Sequence, residues 1–233
     1  MPGADATASA ADALPAGGGR QRRYVWDGAT RLFHWLVVGL IAFSWWSAKN
    51  YHMDWHYKSG LTVLGLLIFR LLWGVVGTST ARFRQFVKGP QGVWAYARGR
   101  SPASVGHNPL GGWSVVALLL SMTVQVTSGL FTVDTDGIES GPLSYLVSFD
   151  QGRAAAGIHE WSFDALLALV SLHVLAIVFY LVVKRRNLVG AMVTGYERTD
   201  EPMAISRVGW IRLAGAVAVA AVATWYIAGG LKF

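Results

Sequence analysis

Two histidines in one apolar stretch, Gly157 to Lys184, are the residues best placed to do chemistry. His159 and His173 are fourteen residues apart. In an α-helix this spacing is just under four turns, so both imidazoles lie on nearly the same face, about 21 Å apart along the axis. The run between them is almost wholly apolar and long enough to cross a bilayer. Ionisable residues inside a membrane are rare and usually functional.

The separation of the two histidines excludes a single shared metal ion. Bonds from histidine to a metal are about 2 Å long, so two ligands about 21 Å apart belong to two centres, one near each membrane surface. Each centre then needs a partner from another helix. Haem iron is commonly held axially by histidine, and two stacked haems would conduct electrons across the membrane. The alternative is that each histidine is a satisfied polar residue in a helix bundle.

The composition indicates an integral membrane protein. Of the 233 residues, 53% are hydrophobic and 14% are charged, and several apolar runs approach the length of about 20 residues that a bilayer requires. There is no cysteine, which excludes disulfides, iron–sulfur clusters, thiolate zinc sites and covalently attached c-type haem. The net charge of +7 could suggest nucleic-acid binding, but the positions of the charges indicate membrane orientation instead.

Hydropathy predicts an all-α membrane protein with spans at about 30–48, 56–77, 113–133, 157–184 and 208–229. The first four spans are assigned to one membrane domain, residues 24–196. Residues 1–23 are predicted to be a disordered cytoplasmic tail, because their Ala/Gly-rich start has no apolar centre. Residues 197–233 are predicted to be a linker and an extra membrane helix. Small residues on that helix permit a close contact, either internal or with another subunit.

Basic residues are distributed unequally across the predicted membrane. With the N-terminus in the cytoplasm, most of the lysines and arginines fall on the cytoplasmic side, and the outer face holds Lys49, Lys58, Arg153 and Lys232. The positive-inside rule therefore predicts a bacterial inner-membrane protein with a cytoplasmic N-terminus and a periplasmic C-terminus. The outer loop over 134–156 is acidic, with Asp134, Asp136, Glu139 and Asp150.

Because alternate spans run in opposite directions, the depths of the histidines can be compared. His34 and His173 both lie toward the cytoplasm, whereas His56 and His159 both begin their spans at the outer face. Two bis-histidine sites are therefore predicted, one in each leaflet. The depths of His34 and His173 agree only if the first helix starts earlier, near Asp27, or the fourth continues past the bilayer.

Other polar residues near these sites have two interpretations each. His52 shares a helix face with His56, but its position in a solvated loop favours His56 as the ligand. Arg70 lies fourteen residues after His56 and either pairs with a haem propionate or extends to the lipid headgroups. His107 suggests a capping or interfacial role, with a quinone contact as the alternative. Space for a porphyrin could come from Gly39, Gly60, Gly65 and Gly74.

Four segments carry a family resemblance: VWDGATRLFHWLVV at 25–38, HYKSGLTVLGLLIFRLLWG at 56–74, FVKGPQGVWAYARG with GHNPLGGW at 86–113, and HEWSFDALLALVSLHVLAIVFYLVVKRRNLVGAMVTG at 159–195. Together they resemble the bacterial cytochrome b561 family, which is grouped with the b-type cytochrome subunit of nickel–iron hydrogenases. The resemblance implies a four-helix membrane bundle that binds two b haems. The family's ligand positions correspond here to His34, His56, His159 and His173.

The resemblance implies respiratory electron transfer between the quinone pool and a redox partner, either a hydrogenase or a c-type cytochrome. The acidic outer loop is expected to steer a basic partner, unless it is simply a solvated loop. An enzymatic alternative is a quinone-linked oxidoreductase that acts directly on superoxide near Lys58 and Arg153. A haem-free transporter or scaffold is the third hypothesis. The fifth span lies outside the four-helix pattern and could support a homo-oligomer.

Overall fold

The computed structural model describes residues 21–100, 106–136, 139–199, 206 and 208–231. Their elements, in chain order, are β1 (Gln21–Tyr24), α1 (Gly28–Lys49), α2 (Met53–Val76), α3 (Phe83–Phe86), α4 (Pro90–Ala97), α5 (Pro109–Leu130), a short 3-10 helix (Ser144–Leu146), α6 (Phe149–Val182), α7 (Leu188–Thr194), β2 (Tyr196–Thr199) and α8 (Trp210–Ala228). Within these ranges, α1, α2, α5, α6 and α8 are long and apolar enough to cross a membrane. The predicted all-α membrane fold is confirmed.

Four of the membrane-length helices, α1, α2, α5 and α6, begin earlier than hydropathy predicted, whereas α8 begins later, at Trp210. Ser148 caps α6: its hydroxyl accepts from the Gln151 N–H at 3.3 Å, and the Gln151 side chain accepts from the Ser148 N–H at 2.9 Å. Residues 149–156, predicted to be loop, are therefore helical, and Asp150 lies in the first turn of α6. At the other end of the bundle, α1 begins directly after Asp27.

The core is centred on α2, which packs against α1, α5 and α8. Four helices contribute to its main apolar cluster: Val37 from α1, Val63 and Leu67 from α2, Leu119 and Met122 from α5, and Leu166 from α6. The long helix α6 packs mainly on α5. Its main packing partner is therefore the one helix of the four that carries no histidine.

The bundle has two chemically different ends. The basic end is where α1 begins and α6 finishes, and it carries Arg22, Arg82, Arg84, Lys88 and Lys184 with their arginine neighbours. The acidic end is where α1 finishes and α6 begins, and it carries Asp54, Asp134, Asp136, Glu139 and Asp150.

A two-stranded ribbon closes the basic end. β1 pairs antiparallel with β2, so that Tyr24 lies opposite Tyr196 and Arg23 opposite Glu197. Arg186, just after α6, forms an ion pair with Glu197. The predicted tail boundary at residue 23 thus falls inside a strand, and the rest of that predicted tail, residues 1–20, lies outside the described residues.

Asp27 fixes the start of α1 to the end of α2. Its carboxylate is buried, 7% exposed, and accepts from the N–H of Thr30 at 2.9 Å and the hydroxyl of Thr30 at 2.7 Å. It also accepts from the indole N–H of Trp73 at 3.2 Å and from the hydroxyl of Thr78 at 2.8 Å. Four hydrogen bonds therefore satisfy this buried charge.

The small-residue face of α8 packs inside the chain, against α2. Ala216 and Ala220 contact Phe69 and Trp73, and a Cβ placed on Gly65 would lie 3.0 Å from the hydroxyl of Thr224. Of the two contacts predicted for this helix, the internal one is therefore present.

Candidate functional site

Two of the predicted ligand histidines meet at the acidic end. His56 lies on the first turn of α2 and His159 lies on α6. Their ring centroids are 6.0 Å apart and their ring planes are at 88° to each other. These are the two histidines that the depth comparison assigned to the outer leaflet.

The His56 ring is oriented by the end of α1. Its Nδ1 lies 2.9 Å from the backbone carbonyl oxygen of Ser44 and 3.1 Å from the Ser44 hydroxyl. Because a carbonyl oxygen can only accept, Nδ1 carries the hydrogen and donates it. The other ring nitrogen, Nε2, therefore holds a lone pair, which is the form that binds a metal.

The His159 ring is oriented in the same way by α5. Its Nδ1 donates to the backbone carbonyl oxygen of Gln125 at 2.8 Å. The Gln125 side-chain nitrogen lies 3.2 Å from Nε2 and 3.4 Å from Nδ1, so it packs against the face of the ring and leaves the in-plane lone pair of Nε2 open. A Cβ on Gly129 would lie 2.8 Å from the His159 ring. Both histidines at this end thus have Nδ1 bonded to a backbone carbonyl and a lone pair on Nε2.

A cavity of about 860 Å³ adjoins the two rings, within the range of pockets that hold cofactors. Its deeper wall is largely apolar and includes Leu61, Val63, Met122, Val126, Phe163, Leu166 and Leu167. Gly60 also lines it, and a Cβ on Gly60 would meet nothing within 4 Å. An iron porphyrin needs imidazole lone pairs, room and apolar walls, and the histidines, the volume and the lining residues of this cavity fit these requirements.

The mouth of the same cavity is charged, and carboxylates predominate there. Its acidic lining residues are Asp54, Asp134, Glu139, Glu160 and Asp164. The cations that line it are Lys49 and Arg153. Lys58, expected beside this site, instead lies over the ring of Trp55 at 5.3 Å and is not part of the lining. The charge at the cavity mouth therefore favours the approach of a positively charged partner over that of a small anion.

The other two predicted ligands lie toward the basic end. His34, on α1, is within electrostatic range of His173 on α6. Its Nδ1 is buried and has no hydrogen-bond partner among the described residues, and its ring stands edge-on to Trp35 at 4.9 Å. Unlike His56 and His159, His34 therefore has no backbone carbonyl among the described residues that fixes its ring.

Arg70 is buried at the basic end, only 3% exposed. Its guanidinium lies 4.9 Å from the centre of the Phe83 ring and donates to the carbonyl oxygen of Ala81 at 3.3 Å. The alternative in which Arg70 extends to the headgroups is wrong, since α3 covers it. No carboxylate within the described residues forms an ion pair with it, although Asp27 is near enough to act on its charge, and its remaining donors are spare.

His107 packs between Trp26 at 4.7 Å and Phe86 at 4.5 Å, centroid to centroid. Burial, with Arg70 and His173 nearby, lowers the pKa of His107 to about 3. Capping of α5 is carried out by the next residue, Asn108, whose side chain accepts from the Gly111 N–H. Asn108 and not His107 therefore caps α5, while the interfacial role of His107 stays a prediction.

The remaining predicted residues are His52 and the four glycines that were expected to make room for a porphyrin. His52 precedes α2 with its ring near Trp46, at 5.5 Å, and does not line the cavity. Gly39 has open space around it, as Gly60 does. Gly65 and Gly74 instead provide room for neighbouring protein, the side chain of Thr224 and the ring of Phe83. Two of the four glycines are thus used for packing rather than left open.

Sequence reasoning missed the residues that orient the imidazoles. Ser44, Gln125 and Gly129 carry no metal-binding group of their own, and only Gln125 stood out as a polar residue within an apolar span. Its depth and its place in a helix without histidine were the available signal.

The chain matches the profile of one known protein family, Prokaryotic cytochrome b561, over residues 25–195. The matched region contains α1, α2, α5 and α6 with His34, His56, His159 and His173, and it excludes α8. No curated protein and no solved structure shows a significant match to the chain.

Proposed function

The chain belongs to the prokaryotic cytochrome b561 family, and from this premise we propose that it carries electrons across the membrane through two b-type haems, between the quinone pool and a basic redox partner. The family supports the broader role, electron transfer by a membrane cytochrome with b-type haem. The number of haems, their ligands and the two partners are the proposal. When bound, each haem supplies one-electron chemistry, as its iron alternates between the ferric and ferrous states.

The proposal assigns His56 and His159 to the acidic-end haem. The observation that carries it is the shared arrangement of the two rings: each Nδ1 donates to a backbone carbonyl, which leaves Nε2 as the nitrogen that would bind iron. Such a second bond fixes the tautomer and the ring orientation of a metal ligand. Two histidine ligands leave no open position on an iron, so this site is suited to electron transfer rather than to oxygen binding.

The proposal assigns His34 and His173 to the basic-end haem, with Arg70 as the partner of a propionate. The nearness of His34 to His173 and the spare donors of buried Arg70 support this assignment. A guanidinium suits a carboxylate because its planar donors match both oxygens.

Quinone exchange is proposed at the basic end, near His107. The imidazole there lies among aromatic rings and close to both Arg70 and His173. If this assignment is right, His107→Leu raises the KM for a soluble quinol at least several-fold while the haem spectrum stays unchanged. An unchanged KM would remove the quinone from this position.

The redox partner is proposed to be a basic protein, such as a c-type cytochrome, docking at the acidic end. The carboxylates at the cavity mouth support this choice, and they disfavour superoxide, an anion, as a direct substrate. Charge-steered association weakens as salt rises. Replacing Asp134 and Glu139 by their amides is expected to slow reduction of a c-type cytochrome at low salt and to flatten the salt dependence.

The matched control changes Asp136 and Asp150, which belong to the same acidic end but do not line the cavity. If both pairs of variants behave alike, the cavity mouth is not the docking site. If neither pair alters the salt dependence, the steering proposal is wrong.

We further infer the orientation, with the basic end in the cytoplasm, from the charge distribution alone. The central experiment is a reduced-minus-oxidised spectrum of the purified chain with the haem extracted and counted. Two non-covalent haems per chain, each lost on replacement of one histidine pair, are expected. One haem, or none, in a folded preparation would contradict the assignment.

A further inference from the structure

The His159 ring lies against α5, a helix that has no histidine of its own. The α5 residues that contact the ring, Gln125 and Gly129, form the seat of His159. On α5, Gln125 and Gly129 are four residues apart and therefore share a face. The Gln125 carbonyl accepts from Nδ1 at 2.8 Å, and the Gln125 amide nitrogen lies 3.2 Å from Nε2 and 3.4 Å from Nδ1. Gly129 leaves just enough room for the ring, since a Cβ there would be 2.8 Å away.

The Gln125 side chain is itself held in place. Its Oε1 accepts from the hydroxyl of Ser162, which is only 2% exposed and lies one turn after His159 on α6. The Ser162 hydroxyl also lies 3.2 Å from the His159 carbonyl oxygen. Gln125, Ser162 and His159 thus form a closed polar unit between α5 and α6, inside an otherwise apolar interface.

The opposing ring is fixed from a different helix, because His56 donates to the Ser44 carbonyl of α1. The angle of 88° between the ring planes is therefore held by one backbone hydrogen bond to each ring and, at His159, also by the Gln125 side-chain amide that lies against the ring. Neither ring can turn about its ligand bond without breaking its Nδ1 hydrogen bond or, for His159, striking Gly129.

We propose that Gln125 is the positioning residue of the acidic-end site, holding the His159 ring perpendicular to the His56 ring. The proposal rests on the assignment of these two histidines as haem ligands. Perpendicular imidazole planes have a spectroscopic signature. A ferric low-spin haem with perpendicular axial rings gives a highly anisotropic paramagnetic resonance spectrum with one prominent low-field line, whereas parallel rings give three well-separated lines.

The test is electron paramagnetic resonance of the oxidised holoprotein. The wild type is expected to show a highly anisotropic low-field line that disappears in His159→Ala. In Gln125→Leu this line is expected to be lost or moved toward the three-line form, and haem transfer to apomyoglobin to be about 10- to 100-fold faster, as for other outer-shell partners of metal ligands. Thr123→Val on the same helix is the control, since its hydroxyl bonds only to Leu119 and it does not line the cavity.

Ser162→Ala removes the hydroxyl that holds the Gln125 side chain and keeps the Gln125 amide. It therefore tests the positioning role even if Gln125→Leu does not fold. It is expected to shift the low-field line in the same direction, whereas Ser162→Thr, which keeps the hydroxyl, restores it. Ser171→Ala, whose hydroxyl bonds to the Leu167 carbonyl, is the control on α6.

An unchanged low-field line in both Gln125→Leu and Ser162→Ala would overturn the positioning role and leave the ligand assignment intact. A three-line spectrum for the acidic-end haem of the wild type would also overturn it. If His159→Ala kept both haems and both spectra, the ligand assignment itself would fail, and the positioning role with it.

Discussion

A methyl group on Gly129 would lie 2.8 Å from Cε1 and 2.9 Å from Nδ1 of His159. The nearest obstacle is thus the end of a side chain rather than backbone, so the ring would move while the helices stay in place. A Gly129→Ala substitution should therefore move the His159 ring without preventing the chain from folding.

Gly129→Ala is therefore expected to fold and to lose the acidic-end haem. Alanine in a helix interior is favoured over glycine by about 0.5–1 kcal/mol, whereas a displaced ligand should weaken haem binding by about 10- to 100-fold. Haem titration of the apoprotein measures the effect. Gly157→Ala is the control, because a Cβ there meets nothing within 4 Å. Equal haem affinity in the two variants would contradict the prediction.

Arg70→Gln is expected to make the midpoint potential of the basic-end haem more negative. A buried positive charge favours the state with the extra electron, and this guanidinium is 3% exposed, so solvent screens it little. Spectroelectrochemical titration gives the potential. Arg84→Gln, which removes an exposed charge at the same end, should shift it much less. A shift of equal size in both variants would refute a specific role for Arg70.

Protein stability is expected to fall as the pH drops from about 6.5 toward 3, partly through His107. Its folded pKa is lowered to about 3 by burial, so in this window the unfolded chain takes up a proton that the folded chain does not. The unfolding free energy attributable to one such group decreases by at most about 1.4 kcal/mol per pH unit. His107→Gln should flatten the dependence measured by thermal unfolding, and His52→Gln should not.

Asp27→Ala is expected to cost about 2–4 kcal/mol of stability. It removes the cap of α1 and leaves the buried donors of Trp73 and Thr78 without an acceptor. Denaturation in detergent would measure the loss. Asp136→Ala, at an exposed position, should change stability by no more than about 0.5 kcal/mol. Similar losses in the two variants would mean that the four hydrogen bonds of Asp27 contribute little.

Gly65→Val is expected to loosen α8 from α2 at a cost of about 1–3 kcal/mol, as overpacking usually does. The Cβ would press on the Thr224 hydroxyl, 3.0 Å away, so a second change, Thr224→Ala, should recover part of the loss. Gly215→Val on α8, where a Cβ has open space, serves as the control. Additive losses in the double variant would show that the two residues do not interact.

The sequence predicted the spans and the neighbourhood of His56 and His159 because both depend on simple rules. Apolar length reports a bilayer crossing, and helix direction places residues by depth. It misjudged the start of α6 because Asp150, Gln151 and Arg153 interrupt the apolar pattern, although the Ser148-x-x-Gln151 spacing of a capping box was present.

The β1–β2 ribbon and the seat of His159 could not be predicted, for a different reason. The ribbon joins strands of four residues that are far apart in the chain and carry no periodic pattern. The seat depends on a backbone carbonyl and an absent side chain, at Gln125 and Gly129. Such features have no residue-type signature until the helices are placed beside each other.

The ribbon has one more consequence. β1 and β2 immediately flank the family-matched residues 25–195. The chain therefore enters and leaves this unit at one place, the paired strands. Domains whose ends lie together accept additions without rerouting their interior. The helix α8 is then an addition that follows the family-matched unit in the chain and packs on it through α2.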